Sequence, residues 1–185
     1  MALTPSNSEL KFGSIAPDFA LLEPKSGSTL SLNELKSDIG TVIMFICNHC
    51  PYVIHIAEGI SRFAKDYTQK GISVIAINSN DYYNYPDDSP EKMVETIAKN
   101  DYIFPYLIDE NQDVAKLYSA ACTPDIFLFN NKMELVYHGQ FDSSRPGNGI
   151  AVTGNDLRNA VDNLIANKEI TANQIPSVGC NIKWK

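Results

Sequence analysis

With four cysteines in 185 residues, the chain has too few cross-links available for a disulfide-stapled scaffold. Cations are also scarce, 15 Lys and Arg against 22 Asp and Glu, for a net charge of -7. Binding to a nucleic-acid backbone rests on clustered Lys and Arg, so no nucleic-acid partner is expected. Long apolar runs are missing as well. No segment approaches the ~20 apolar residues that span a bilayer, and residues 1–10 lack a basic stretch followed by an apolar one. No membrane partner and a cytoplasmic location are therefore expected. The sequence has no internal repeat, low-complexity run or Gly/Ser- or Pro-rich linker, which leaves a single domain over 1–185 as the expectation. No nucleotide, flavin or haem motif is visible, so no cofactor is expected and electrons should arrive through the thiols of another protein.

What the chain does have is an ordinary globular composition, 44% hydrophobic and 20% charged, at a length that can bury a full core. Residues 41–46 (TVIMFI) and 72–77 (ISVIAI) are continuous β-branched runs of the kind that form strands buried on both faces. Between them Val53, Ile56, Ile60, Phe63 and Tyr67 recur at three- and four-residue steps, which gives a helix with one apolar face, closed by Gly71. Strand, helix and strand make a βαβ unit with two parallel strands in one sheet. Downstream, Ser89-Pro90-Glu91 opens a helix to about Asn100, 104–108 reads as a short strand and 112–118 as a short helix. Residues 126–129 and 135–137, separated by Asn130-Asn131, form a hairpin. Residues 153–156 cap a last helix to about Asn167, with Leu157, Val161, Leu164 and Ile165 on its apolar face. Gly and Ser clusters in 12–32 mark a short extra hairpin. The pattern predicts an α/β fold with a central mixed sheet flanked by helices, an N-terminal β-hairpin extension, a core over about 17–166 and an extended polar tail over 171–185.

Cys47 and Cys50 fall where the first buried strand hands over to the helix, in the string CNHCP. A thiol there meets the positive end of the helix dipole and unpaired N–H groups, both of which favour the thiolate. A second thiol three residues on is about one helical turn away, within reach to resolve a mixed disulfide. The same spacing serves as half of a zinc site, for which Cys122 and Cys180 could supply two more ligands, although a strand-to-helix junction in a βαβ unit favours redox chemistry. Thr123-Pro124 stands at a strand entrance, where a cis bond would hold a backbone edge open for an extended substrate; the plainer alternative is a loop proline. Residues 81–88 (DYYNYPDD) follow the second parallel strand and should share the face of Cys47. Exposed tyrosines there would suit substrate recognition, while Asp87 and Asp88 are expected to support the dipole of the next helix.

The strand, the Cys-x-x-Cys-Pro helix start and the late Thr-Pro before a hairpin resemble the thioredoxin superfamily over about 17–166. The N-terminal hairpin and the strings CNHCPYV (47–53), CTPD (122–125), DSSRP (142–146) and GCNIKW (179–184) are similar to its peroxiredoxin-like, AhpC/TSA or redoxin-type branch. That resemblance implies a thioredoxin-like fold and a thiol-disulfide oxidoreductase, with Cys47 as the attacking thiol, Cys50 as the resolving thiol and Pro124 as a cis-proline facing them, next to Thr123. It implies a disulfide-containing protein or small molecule as substrate and a thiol electron donor such as a thioredoxin or glutathione system. Thioredoxin has Gly-Pro where Asn48-His49 stands here. A His49 that donates to the Cys47 thiolate would lower its pKa and make the disulfide more oxidising; a solvated one would be silent. The peroxiredoxin signature Pro-x-x-x-Thr-x-x-Cys would require Pro and Thr at positions occupied by Gly40 and Met44. Its absence argues against efficient peroxide reduction and leaves a thiol peroxidase at Cys47 as the second reading. Arg145 is expected either beside the site or in a loop ion pair, and Cys122 as a third redox thiol or a small buried hydrophobe. The tail should dock through Trp184, with Cys180 joining a relay only if it folds back across the body.

Overall fold

The computed structural model describes residues 3–7 and 9–185. Its elements run β1 (Leu3–Pro5), β2 (Ala20–Glu23), β3 (Ser28–Ser31), α1 (Leu32–Leu35), β4 (Gly40–Phe45), α2 (Pro51–Thr68) and β5 (Ile72–Asn78). A 3-10 turn (Pro86–Asp88) then leads to α3 (Pro90–Asn100), β6 (Tyr106–Ile108), α4 (Asp113–Leu117), β7 (Cys122–Thr123), β8 (Asp125–Asn130), β9 (Leu135–His138), α5 (Asn155–Ile165) and β10 (Val178–Asn181). The main sheet has the order β3-β2-β6-β5-β4-β8-β9, with β4, β5 and β6 mutually parallel and the other pairings antiparallel.

Strand β4 sits inside this sheet and is buried along its whole length, as its continuous apolar run requires. Alternation splits its side chains between two cores. Val42 and Met44 pack with residues of α2, α3 and α5, whereas Ile43 and Phe45 pack with Val114, Ala115 and Tyr118 around α4. Helices therefore cover both faces, and the α/β fold read from the sequence is the fold found. Helix α2 buries Val53, Ile56, Ile60, Phe63 and Tyr67, the stripe set by its period. It ends where Gly71, at φ 82°, turns its N–H onto the Thr68 carbonyl at 3.1 Å. Ser89 caps α3 by accepting from the Lys92 N–H. The expected N-terminal hairpin is β2–β3, with Gly27 at φ 70° in its turn. Among the described residues, no helix is long and apolar enough to cross a membrane.

The tail departs from expectation. It is not an extended polar segment held by Trp184, which remains 43% exposed. Instead β10 is the middle strand of a second sheet, β1-β10-β7, and buries Cys180, with Ile182 buried just beyond it. Chain end and chain start are thereby both tied to the two residues that precede Pro124.

Candidate active site

The last pairing of β4's extension, Ile46 N–H to the Ile77 carbonyl at 3.0 Å, releases the chain from the sheet just before Cys47. Cys50 then takes the N-cap position of α2 in extended backbone, with Pro51 at the first helical position, where its missing N–H costs nothing. The two thiols each shift the other's ionisation. Thr123 touches both. Its hydroxyl lies 3.3 Å from the Cys47 sulfur, and its carbonyl oxygen lies 3.1 Å from the Cys50 sulfur. The Thr123–Pro124 bond is cis, as the strand-entrance position suggested.

The shifts of the two thiols run opposite to the lowering expected for Cys47. Cys47 is pushed well above the ordinary thiol value, first by the hydrogen bond it donates to Cys50, then by burial and by the nearby Asp88 carboxylate; the Thr123 hydroxyl opposes them. Cys50 is drawn down to about 5, first by that same bond from Cys47, then by Cys180, the Val53 N–H and the Thr123 hydroxyl, against the cost of burial. Cys50 stands at the N-cap position of the helix, while Cys47 lies before it and faces an acid.

His49 does not donate to Cys47. Its Nδ1 lies 2.7 Å from Asp88 Oδ2, an ion pair by distance in which the ring N–H is not aligned on the oxygen. The ring stacks on Tyr85 with centroids 5.9 Å apart. The Asp88 contact raises the His49 pKa despite partial burial. Asp88 itself is 1% exposed and accepts from the Asn48 N–H and from the Asn80 side-chain amide, each at 2.7 Å. It is thus a site residue, not the helix-dipole partner expected; only its spacing from Ser89 was visible in the sequence. Of the neighbouring tyrosines, Tyr83 and Tyr85 are exposed, with the Tyr82 and Tyr83 hydroxyls both on Glu110.

Arg145 is in no ion pair among the described residues. Its guanidinium donates to the carbonyls of Asp142 and Ser144 and to Gln140 Oε1, and it lines a shallow cleft with Tyr52, Phe141 and Pro124. Cys122 turns its thiol to the Pro124 carbonyl at 3.4 Å and is raised by burial, which fits the buried-hydrophobe alternative. Cys180 is the sulfur that joins the pair, with its Sγ 2.8 Å from that of Cys50.

The four-cysteine zinc set is not assembled. Among the described residues the group with metal-donor geometry is Cys47, His49 and Asp88, whose ligand atoms lie within 4.8 Å of one another. Cys47, Cys50 and Cys180 are all nearly inaccessible, at 2%, 0% and 3% exposure, so this is a closed dithiol site with a third sulfur in contact.

The whole chain superimposes on an uncharacterised conserved protein of Geobacillus kaustophilus at 50% identity and a TM-score of 0.97, covering 100% of this chain and 97% of the other. It also superimposes on a hypothetical protein of Sinorhizobium meliloti, at 47% identity, a TM-score of 0.95 and 98% coverage of each chain. The thioredoxin domain of a thiol-disulfide oxidoreductase from Bacteroides vulgatus shares the fold, at a TM-score of 0.63 and 17% identity over 83% of this chain and 99% of that one. No curated protein matches. Residues 12–138, from the N-terminal hairpin region through β9, match the AhpC/TSA family, and the chain belongs to that family within the thioredoxin-like redox proteins.

Proposed function

We propose that the protein is a thiol-disulfide oxidoreductase that cycles Cys47 and Cys50 between dithiol and disulfide. The observation that carries this reading is two buried sulfurs at a helix start, with Thr123 against both. The Cys50 thiolate attacks a disulfide of a protein or small molecule, forming a mixed disulfide and expelling a thiolate. Once Cys50 is bonded it no longer holds the proton on Cys47. Cys47 then attacks the Cys50 sulfur, its proton passes to the departing substrate sulfur, and the dithiol has given two electrons to the substrate. A thiol donor of the thioredoxin or glutathione type, in a reducing cytoplasm, returns them.

Single-cysteine variants tested against an aromatic disulfide decide the roles. Cys47→Ser should still attack and release aromatic thiolate, whereas Cys50→Ser should lose the reaction. The reverse result would make Cys47 the attacking thiol, and unchanged turnover in both variants would end the reading.

One observation favours a thiol peroxidase as the second reading: the Thr123 hydroxyl beside Cys47 could stand in for the signature threonine. Counted from Cys50, the signature's Thr and Pro positions hold Cys47 and Ile43, so the motif is absent in that frame too. Oxidation of Cys47 or Cys50 by hydrogen peroxide much faster than that of free cysteine would support it.

A further inference from the structure

Strand β10 occupies the backbone edge beside Pro124 that an extended substrate would use. It runs antiparallel to β7 with Cys180 opposite Thr123 and Asn181 opposite Cys122. A Cβ on Gly179 would fall 1.9 Å from the Thr123 carbonyl oxygen, so only glycine allows this approach. Beyond Cys180 the strand is pinned. Ile182 donates to the Ala121 carbonyl at 3.2 Å, Lys183 N–H to Asn80 Oδ1 at 2.8 Å, and the Lys183 carbonyl accepts from the Asp81 N–H and the Gln112 side chain, each at 2.8 Å. The thiol held this way rests on Cys50 at 2.8 Å, less than an ångström beyond the roughly 2.0 Å of a disulfide bond.

From this geometry we infer that Cys180 is a third redox thiol, a tethered partner that accepts the disulfide from Cys47–Cys50 as Cys50–Cys180. The inference rests on the dithiol cycle proposed above. The step is an internal exchange. The Cys180 sulfur, as thiolate, bonds to Cys50; the Cys47–Cys50 bond breaks; Cys47 leaves with the bonding pair and takes up the proton that Cys180 gave. No electrons enter or leave the protein. The Thr123 hydroxyl, 3.3 Å from Cys47, is placed to donate to the leaving sulfur. In the reduced protein burial, and next the contact with Cys50, hold the Cys180 thiol up at about 12, and oxidation of Cys50 removes its charge and with it one of those causes. The exchange moves the disulfide from a closed pair onto the chain's terminal strand, whose displacement would carry it to an outside thiol.

The test is oxidation of the full chain in a glutathione buffer, followed by alkylation, digestion without reductant and mass mapping. A Cys50–Cys180 linked peptide should appear alongside Cys47–Cys50, become the dominant product in Cys47→Ser, and vanish in Cys180→Ala. Gly179→Ala keeps every thiol but lifts the strand, so it should lose the Cys50–Cys180 peptide while retaining Cys47–Cys50. If wild type and Cys47→Ser yield no Cys50–Cys180 peptide while Cys47–Cys50 forms normally in the wild type, the inference is overturned and the dithiol cycle stands. If Cys50 enters no disulfide at all, both fall.

Discussion

At the scale of single residues, the site depends on which sulfur keeps a proton. Ultraviolet thiolate absorbance of the reduced protein should show one thiolate appearing near pH 5, lost in Cys50→Ser and moved to higher pH in Cys47→Ser, which removes the largest cause of the Cys50 shift. A first thiolate appearing only near the ordinary thiol range would sink the assignment. Asp88 provides a second measurement. Asp88→Asn removes the carboxylate that raises both Cys47 and His49, so the His49 titration followed by NMR should move down toward its ordinary value of about 6.5. The variant also sets an amide against the Asn48 or Asn80 donor, and an unmet buried donor should cost about 1–3 kcal/mol in chemical denaturation. Cys47, Cys50, Thr123 and Pro124 were legible in the sequence because each lies in a short contiguous string. Asp88 was not, because the amide that defines its role belongs to Asn48, 40 positions away.

Secondary-structure elements divide by how local their causes are. Strands β4 and β5 and helix α2 were readable from periodicity, since burial on both faces or on one stripe writes itself into six to eighteen consecutive residues. Strands β7 and β10 span two and four residues, too few for a period, and exist because Gly179 lets one backbone lie on another 56 positions away. A similar close approach can be tested within α2. Alanine is a better helix former than glycine by about 1 kcal/mol, yet a Cβ at Gly59 would meet Val152 Cγ1 at 2.6 Å and the Phe141 ring at 2.9 Å. Overpacking of this kind costs about 1–3 kcal/mol, so Gly59→Ala should come out destabilised despite its helical gain. A raised midpoint in urea would mean that the 141–152 segment yields freely.

For the whole molecule, the proton placement becomes a dependence of folding on pH. Folding draws Cys50 from an ordinary 9.0 down to about 5, so its contribution is complete above about 9 and is lost as the pH falls through 5. Cys47 and Cys122 shift upward instead; their contributions are intact below 9 and are lost as the pH climbs beyond it, because the unfolded thiols ionise first. His49, also raised, contributes below about 6.5 and loses that contribution as the pH rises through its folded value, which offsets part of the Cys50 gain. Under excess reductant, urea unfolding of the wild type should therefore show stability rising between pH 5 and 9 relative to Cys50→Ser, and falling above 9 in both proteins. The comparison isolates Cys50, since the variant keeps Cys122, His49 and the tail. Parallel curves for the two proteins between pH 5 and 9 would mean that the fold does not hold a thiolate at the helix cap, and the attack assigned to Cys50 would lose its chemical basis.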